Sequence, residues 1–187
     1  MMRPWPLIES RKVGDFRIFQ LRVDKKTSPR TDQPHDFYVL ECVNWVNVLA
    51  ITPDRQLVMV EQLRHGTNTV ELEIPGGIVD SKDASPVATA VRELREETGY
   101  EGEHARILGD VAANPAIMNN TCFTILIQNC QLRHEVEWDS GEDMITRLVP
   151  SSDIHDLIAR GQIRHSLVVV ALHYYDLWQR GLMFPKD

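Results

Sequence analysis

GGIVDSKDASPVATAVRELREETGY, residues 76–100, is the stretch on which the reading of this chain turns. Its second half spells a helix from about Pro86 to Thr98. Ser85 is a candidate N-cap, Pro86 suits a first helical turn, and Gly99 is a stop signal. At 100° per residue Val87, Ala90, Val91 and Leu94 share one arc, which is expected to face the core. Glu93, Glu96 and Glu97 stand at i, i+3 and i+4 and project together from an adjacent face. Three carboxylates so close repel one another unless solvent, arginine or a cation neutralises them. Arg92, four residues before Glu96, and Arg95 supply part of that charge. The helix alone leaves two readings open. One is a solvated acidic face with surface ion pairs; the other is an oxygen-only cluster for a hard cation such as Mg2+ or Mn2+.

Working outward, FRIFQLRV (16–23), FYVLECV (37–43), WVNVLAI (45–51), QLVMVEQLR (56–64) and VELEI (70–74) are rich in β-branched and aromatic residues and predict strands. The polar, proline-bearing segment before Phe37 predicts a loop or hairpin tip, and Thr52-Pro53-Asp54-Arg55 a turn. Further strands are expected near 104–112, 122–130 and 144–149. A short helix is expected to end at Gly161, and a last one to run from about His165 to Arg180. Early strands and late helices favour an α+β fold, an α/β/α sandwich around a mixed sheet.

The chain has 187 residues, enough for one domain with a sizeable core and no need of disulfides. Twenty Lys and Arg against 27 Asp and Glu leave a net charge of −7, which argues against binding a nucleic-acid backbone. Three cysteines without CxxC spacing make neither a disulfide framework nor a zinc knuckle and fit a reducing cytoplasm. The opening MMRPWPLIESRK lacks the apolar run of a signal peptide, and no stretch reaches the roughly 20 residues of a membrane span.

The segment 76–100 closely resembles the signature of the Nudix hydrolases. Arg92-Glu93-Leu94-x-Glu96-Glu97-x-Gly99-Tyr100 matches the family's second half at every fixed position. One departure stands out. Arg92 stands fifteen positions after Gly77, one more than the family's usual spacing, and the family's upstream glutamate has no identical match. Asp83 is nearest, with Ala84 in the alternative alignment, so the partner of Arg92 is open. The resemblance implies a Nudix-type α/β/α sandwich at 46–187, preceded by an N-terminal β extension at 1–45 that serves dimerisation. It implies Glu93 and Glu97 as main metal ligands, Glu96 as a further or bridging ligand, the Gly76 carbonyl as another, and Arg92 orienting the carboxylates. Two or more Mg2+ (or Mn2+) ions per site would neutralise a diphosphate, expose its phosphorus and activate a water.

The layout of 45–77, a strand ending in Gln62-x-Arg64 and then Glu73-x-Pro75-x-Gly77, resembles the ADP-ribose and nucleotide-sugar pyrophosphatase branch. Pro115, sixteen residues beyond Gly99, points the same way. This implies Arg64 reaching toward diphosphate or terminal sugar, with Glu71 or Glu73 near it. Asn119 and Asn120 are candidates for hydrogen bonds to ribose, sugar or phosphate, and Trp5 and Trp45 for stacking on a base. A general base is expected in the acidic loop HEVEWDSGEDM, among Glu135, Glu137, Asp139, Glu142 and Asp143, with Glu142 preferred for its place just before a strand. The expected activity is hydrolysis of a nucleoside diphosphate sugar, ADP-ribose or GDP-mannose in type, by a cytoplasmic homodimer. The alternatives are a nucleoside triphosphate or RNA 5′-end pyrophosphohydrolase and, in another class, a non-catalytic nucleotide-sugar sensor.

Overall fold

The computed structural model describes residues 3–183. Met1 and Met2, which head the segment read for a leader, and 184–187, at the end of the expected hydrolase domain, lie outside the described residues. Two compact units emerge. One comprises the chain up to Asn44 together with Ala112–Thr121; the other is Trp45–Val111 with the chain from Cys122 onward. The sequence divides the chain once, at 45; the return of 112–121 to the N-terminal unit is not legible in it.

The N-terminal unit is an antiparallel meander in the order β1 (Leu7–Asp15), β2 (Gln20–Thr27), β3 (Pro34–Glu41). The strands expected at 16–23 and 37–43 are thus displaced, and β1 is an addition. Residues 16–19 instead form the β1–β2 turn, with Arg17 at φ 65° and the Phe16 and Phe19 rings stacked 5.1 Å apart. Pairing then carries polar residues such as Lys25 and Lys26 into β2, opposite Asp36 and His35. Only Val23 and Asp24 of β2 are buried, so backbone pairing there needs no sustained apolar pattern. Leu7, Ile8 and Val13 on β1 and Tyr38 on β3 are exposed.

The larger unit opens with β4 (Trp45–Ala50), β5 (Gln56–Arg64), β6 (Thr69–Glu73) and β7 (Gly76–Ile78). Helix α1 (Pro86–Thr98), β8 (Tyr100–Ala112), β9 (Thr121–Leu132), β10 (Met144–Pro150), α2 (Ile154–Ala159) and α3 (Ser166–Gln179) follow. β4 runs parallel to β9 and antiparallel to β7 in a mixed sheet ordered β7-β4-β9-β8, beside an antiparallel sheet β10-β5-β6. Alternation along β4 separates two cores. Val46, Val48 and Ala50 pack with Ala90 and Leu94 of α1, while Leu49 packs with Val168, Ala171 and Leu172 of α3. Each such Val or Leu side chain contributes roughly 1.5–3 kcal/mol by leaving water. This is the expected α+β sandwich with a mixed sheet. Among the described residues no helix is long and apolar enough to cross a membrane.

Helix α1 has the predicted limits. The Ser85 hydroxyl accepts from the Ala88 amide at 3.2 Å, and Gly99 closes the helix at φ 73° with its N–H on the Arg95 carbonyl. The buried face is rotated from the predicted arc. Val91 is exposed, whereas Thr89, Glu93, Glu97 and Thr98 are buried beside Ala90 and Leu94. Two carboxylates therefore occupy ground that periodicity assigns to an apolar residue.

Candidate active site

The site begins where β7 lies along β4, with Gly76 opposite Asn47 and Gly77 opposite Val46. The strand is stripped of side chains for a reason. A Cβ on Gly76 would strike the Val46 carbonyl, and one on Gly77 would strike the Glu93 carboxylate. The glycine pair lets α1 set Glu93 directly against backbone. The Gly76 amide donates to Glu97 Oε2 at 3.1 Å.

Glu97 is 3% exposed, and burial, reinforced by the charge of Glu93, holds its carboxyl well above the usual carboxylate range. Burial likewise raises Glu93, with Glu96 and Glu142 adding repulsion and Arg92 opposing. Arg92 gathers the other acids: Nη2 lies 3.0 Å from both Asp83 Oδ2 and Glu93 Oε1, and Nη1 lies 2.8 Å from Glu96 Oε2. Asp83 is thus the acid that meets Arg92 despite the longer loop. Its carboxyl is also bonded by the Thr89 hydroxyl at 2.9 Å and lies below the usual range, chiefly through the Arg92 hydrogen bond.

Among the described residues no three His, Cys, Asp or Glu side chains form a ready-made metal cage. Arg92 occupies Glu96 and shares Glu93, so cation binding requires part of that pairing to exchange. The donor set nevertheless fits a hard divalent ion. It is all oxygen, and Glu97 is a buried carboxylate pressed by a like charge, with a backbone amide as its bonded partner.

Arg64, at the end of β5, meets Glu73 of β6 in a two-point pair, Nε to Oε1 at 2.8 Å and Nη2 to Oε2 at 2.6 Å. Glu71 instead takes Arg164, at 2.6–3.0 Å, and that hydrogen bond above all lowers its carboxyl to about 2. Arg64 lines two cavities. One, of about 250 Å3, is walled by Trp45, Asn47, Gly76, Gly77 and His165; the other, of about 520 Å3, by His65, Glu142 and Asp143. The structure thus brings Arg64, Glu73, Trp45 and Gly76 to one place, with Glu142 close enough for its charge to act on Glu93 and Glu97. Asn119 and Asn120 lie in the other unit. Asn119 Oδ1 accepts from the Cys42 amide at 3.2 Å, and Asn120 Nδ2 donates to the Val43 carbonyl at 3.0 Å. Trp5, in the same unit, meets Phe37 edge to face at 5.3 Å. Sequence reading passed over Trp138, whose indole Nε1–H donates to the Glu97 carbonyl at 3.0 Å. It lies among the acids of 134–144, which drew attention by charge alone.

A mixed sheet carrying a glycine pair against a helix with two buried glutamates defines a class of protein whose site offers an all-oxygen donor set suited to a hard cation. The pattern of a family described as the NUDIX domain matches residues 17–169. A methanol dehydrogenase activator of Bacillus methanolicus is 28% identical over 171 residues, 91% of each chain. An ADP-ribose pyrophosphatase of Bacillus subtilis (strain 168) is 28% identical over 133 residues, 71% of each chain. The crystal structure of an ADP compounds hydrolase superposes with a TM-score of 0.85 at 19% identity, covering 97% of both chains, which shows the shared fold. The chain belongs to the Nudix family and is a Nudix hydrolase. Such hydrolases generally work with a divalent metal such as Mg2+.

Proposed function

We propose that this chain hydrolyses the diphosphate bond of a nucleoside diphosphate sugar, ADP-ribose or another ADP-sugar in type, to a nucleoside monophosphate and a sugar phosphate. The observation that carries the reading is the buried pair Glu93 and Glu97 against the Gly76–Gly77 strand, with the Arg64–Glu73 pair alongside. The likeness to an ADP-ribose pyrophosphatase over most of the chain supports the substrate class.

In this reading Glu93, Glu97 and the Gly76 carbonyl would hold Mg2+ (or Mn2+), with Glu96 as a further ligand and two or more ions in the site. The metal supplies charge neutralisation of the diphosphate and a water of lowered pKa. Arg92 fixes the glutamates by its contacts to Asp83, Glu93 and Glu96. Arg64, oriented by Glu73, presents its remaining guanidinium edge to the diphosphate. Trp45 walls the substrate cavity, and Asn119 and Asn120 are kept as candidate polar contacts. Glu142 takes the proton from the attacking water. A panel of nucleotide sugars, dinucleotides and triphosphates, assayed with a coupled phosphatase, should give release only from nucleotide sugars and lose it on chelation. Triphosphate-selective release overturns the substrate class, and chelator-resistant release overturns the metal.

The reading extends to a homodimer formed through 1–45, supported by the exposed apolar side chains of β1 and β3. A sedimentation mass well above one 21.4 kDa chain at micromolar concentration is expected; a single-chain mass overturns it. Free Cys42, Cys122 and Cys130 support a reducing compartment such as the cytoplasm. The length-matched likeness to a methanol dehydrogenase activator favours a second reading, in which the same hydrolysis serves to regulate a dehydrogenase. Alcohol oxidation by a methanol dehydrogenase, with and without this chain and Mg2+, tests it.

A further inference from the structure

An α-helix leaves its last four carbonyls without partners inside the helix. In α1 these belong to Arg95, Glu96, Glu97 and Thr98. Gly99 N–H serves Arg95. The next two are served from the acidic loop between β9 and β10. The Glu137 amide donates to the Glu96 carbonyl at 2.8 Å, and the Trp138 indole to the Glu97 carbonyl at 3.0 Å. Arg95 Nη2 adds a contact to Glu137 Oε1 at 3.1 Å. The loop is then locked internally: the Asp139 amide donates to Glu142 Oε2 at 3.0 Å, and the Glu142 amide to the Asp139 carbonyl at 2.9 Å. An unbroken run of hydrogen bonds and one covalent step therefore leads from the backbone of a buried glutamate, through Trp138 and Asp139, to the Glu142 carboxylate. Trp138 is 40% exposed, so its hydrogen bond to the helix is a specific contact of a side chain outside the core. Indole N–H is a donor with no acceptor function, which suits a helix carbonyl and offers nothing to a loop needing both.

We propose that Trp138 is a positioning residue for Glu142, clipping the base-bearing loop to the last turn of α1 so that Glu142 is held in register with Glu93 and Glu97. The proposal rests on the reading of Glu142 as the base. It makes the C-terminus of α1 a shared joint between ligand helix and base loop. Displacing a catalytic group by an ångström costs rate, and holding it needs such a joint.

The test is Trp138→Phe, which keeps an aromatic body and removes the N–H, assayed with Mg2+ alone and in a Glu142→Gln background. One neutral hydrogen bond corresponds to up to about a tenfold effect. A fall in kcat of about tenfold is expected with KM within twofold, and no further fall when Glu142 is already Gln. An equal fall in both backgrounds, or none in either, overturns the proposal while leaving the base in place. A wild-type rate in Glu142→Gln alone removes the base and the proposal together. Backbone 15N relaxation at Gly141 and Glu142 gives a readout independent of turnover. Greater mobility is expected in Trp138→Phe, and unchanged relaxation overturns the clip.

Discussion

Glu97→Gln is expected to lower kcat by roughly 10³-fold at saturating Mg2+, the several kcal/mol that a bound cation supplies to a phosphoryl transition state. The substitution keeps the shape and an oxygen that can still accept from the Gly76 amide, but removes the charge. The same change should stabilise the metal-free fold. Glu97 is buried against Glu93, and that environment penalises its ionised form. Its raised carboxyl holds a proton in the folded chain that it has lost in the unfolded one. The contribution of Glu97 to metal-free stability should therefore be fully present below the ordinary carboxylate range and be lost as pH rises through the raised folded value, opposite in sign to that of Glu71 and Asp83. Glu97→Gln should flatten that decline, and Mg2+ should raise Tm in the native chain but hardly in the variant. Thermal melts across pH, with and without Mg2+, check both signs. Unchanged turnover in the variant would remove the metal site from this helix.

Glu142→Gln is expected to cost roughly 10²- to 10⁴-fold in kcat, the usual worth of a general base. Among the five acids considered in its loop, the structure favours it on two grounds. Its charge acts on both Glu93 and Glu97, and it lines a cavity with Arg64. Glu137 is instead engaged with Arg95. Glu142 also stays outside the buried acidic pair, which leaves it free to accept a proton while the others serve as ligands. Steady-state rates with excess Mg2+ check this. A near-wild-type rate moves the role to Asp143, its neighbour in the same cavity, or to Glu135, Glu137 or Asp139.

What the sequence discloses and what it withholds follow from range. The limits of α1 are legible because Ser85, Pro86 and Gly99 act on their immediate neighbours. β5 is legible over 56–64 because its apolar run is buried in the core. β1 is not, since a strand exposed along nearly its whole length leaves no apolar rhythm. Periodicity also puts Val91 in the buried arc of α1 and Glu93 and Glu97 on the face beside it. The reverse holds because Gly77 opens room for Glu93 and the Gly76 amide bonds Glu97, contacts made across 16 and 21 residues. The engagement of Asn119 and Asn120 with the backbone of Cys42 and Val43 spans 77 residues in each case and leaves no local trace.

The N-terminal unit is assembled from two stretches of chain, one ending at Asn44 and one inserted at 112–121. A fragment begun at Trp45 would carry the inserted piece along as an orphan, its two asparagine amides stripped of the carbonyl and amide they now serve. Removing the leading stretch alone would therefore break the unit that holds Asn119 and Asn120, so the two stretches make structurally one piece.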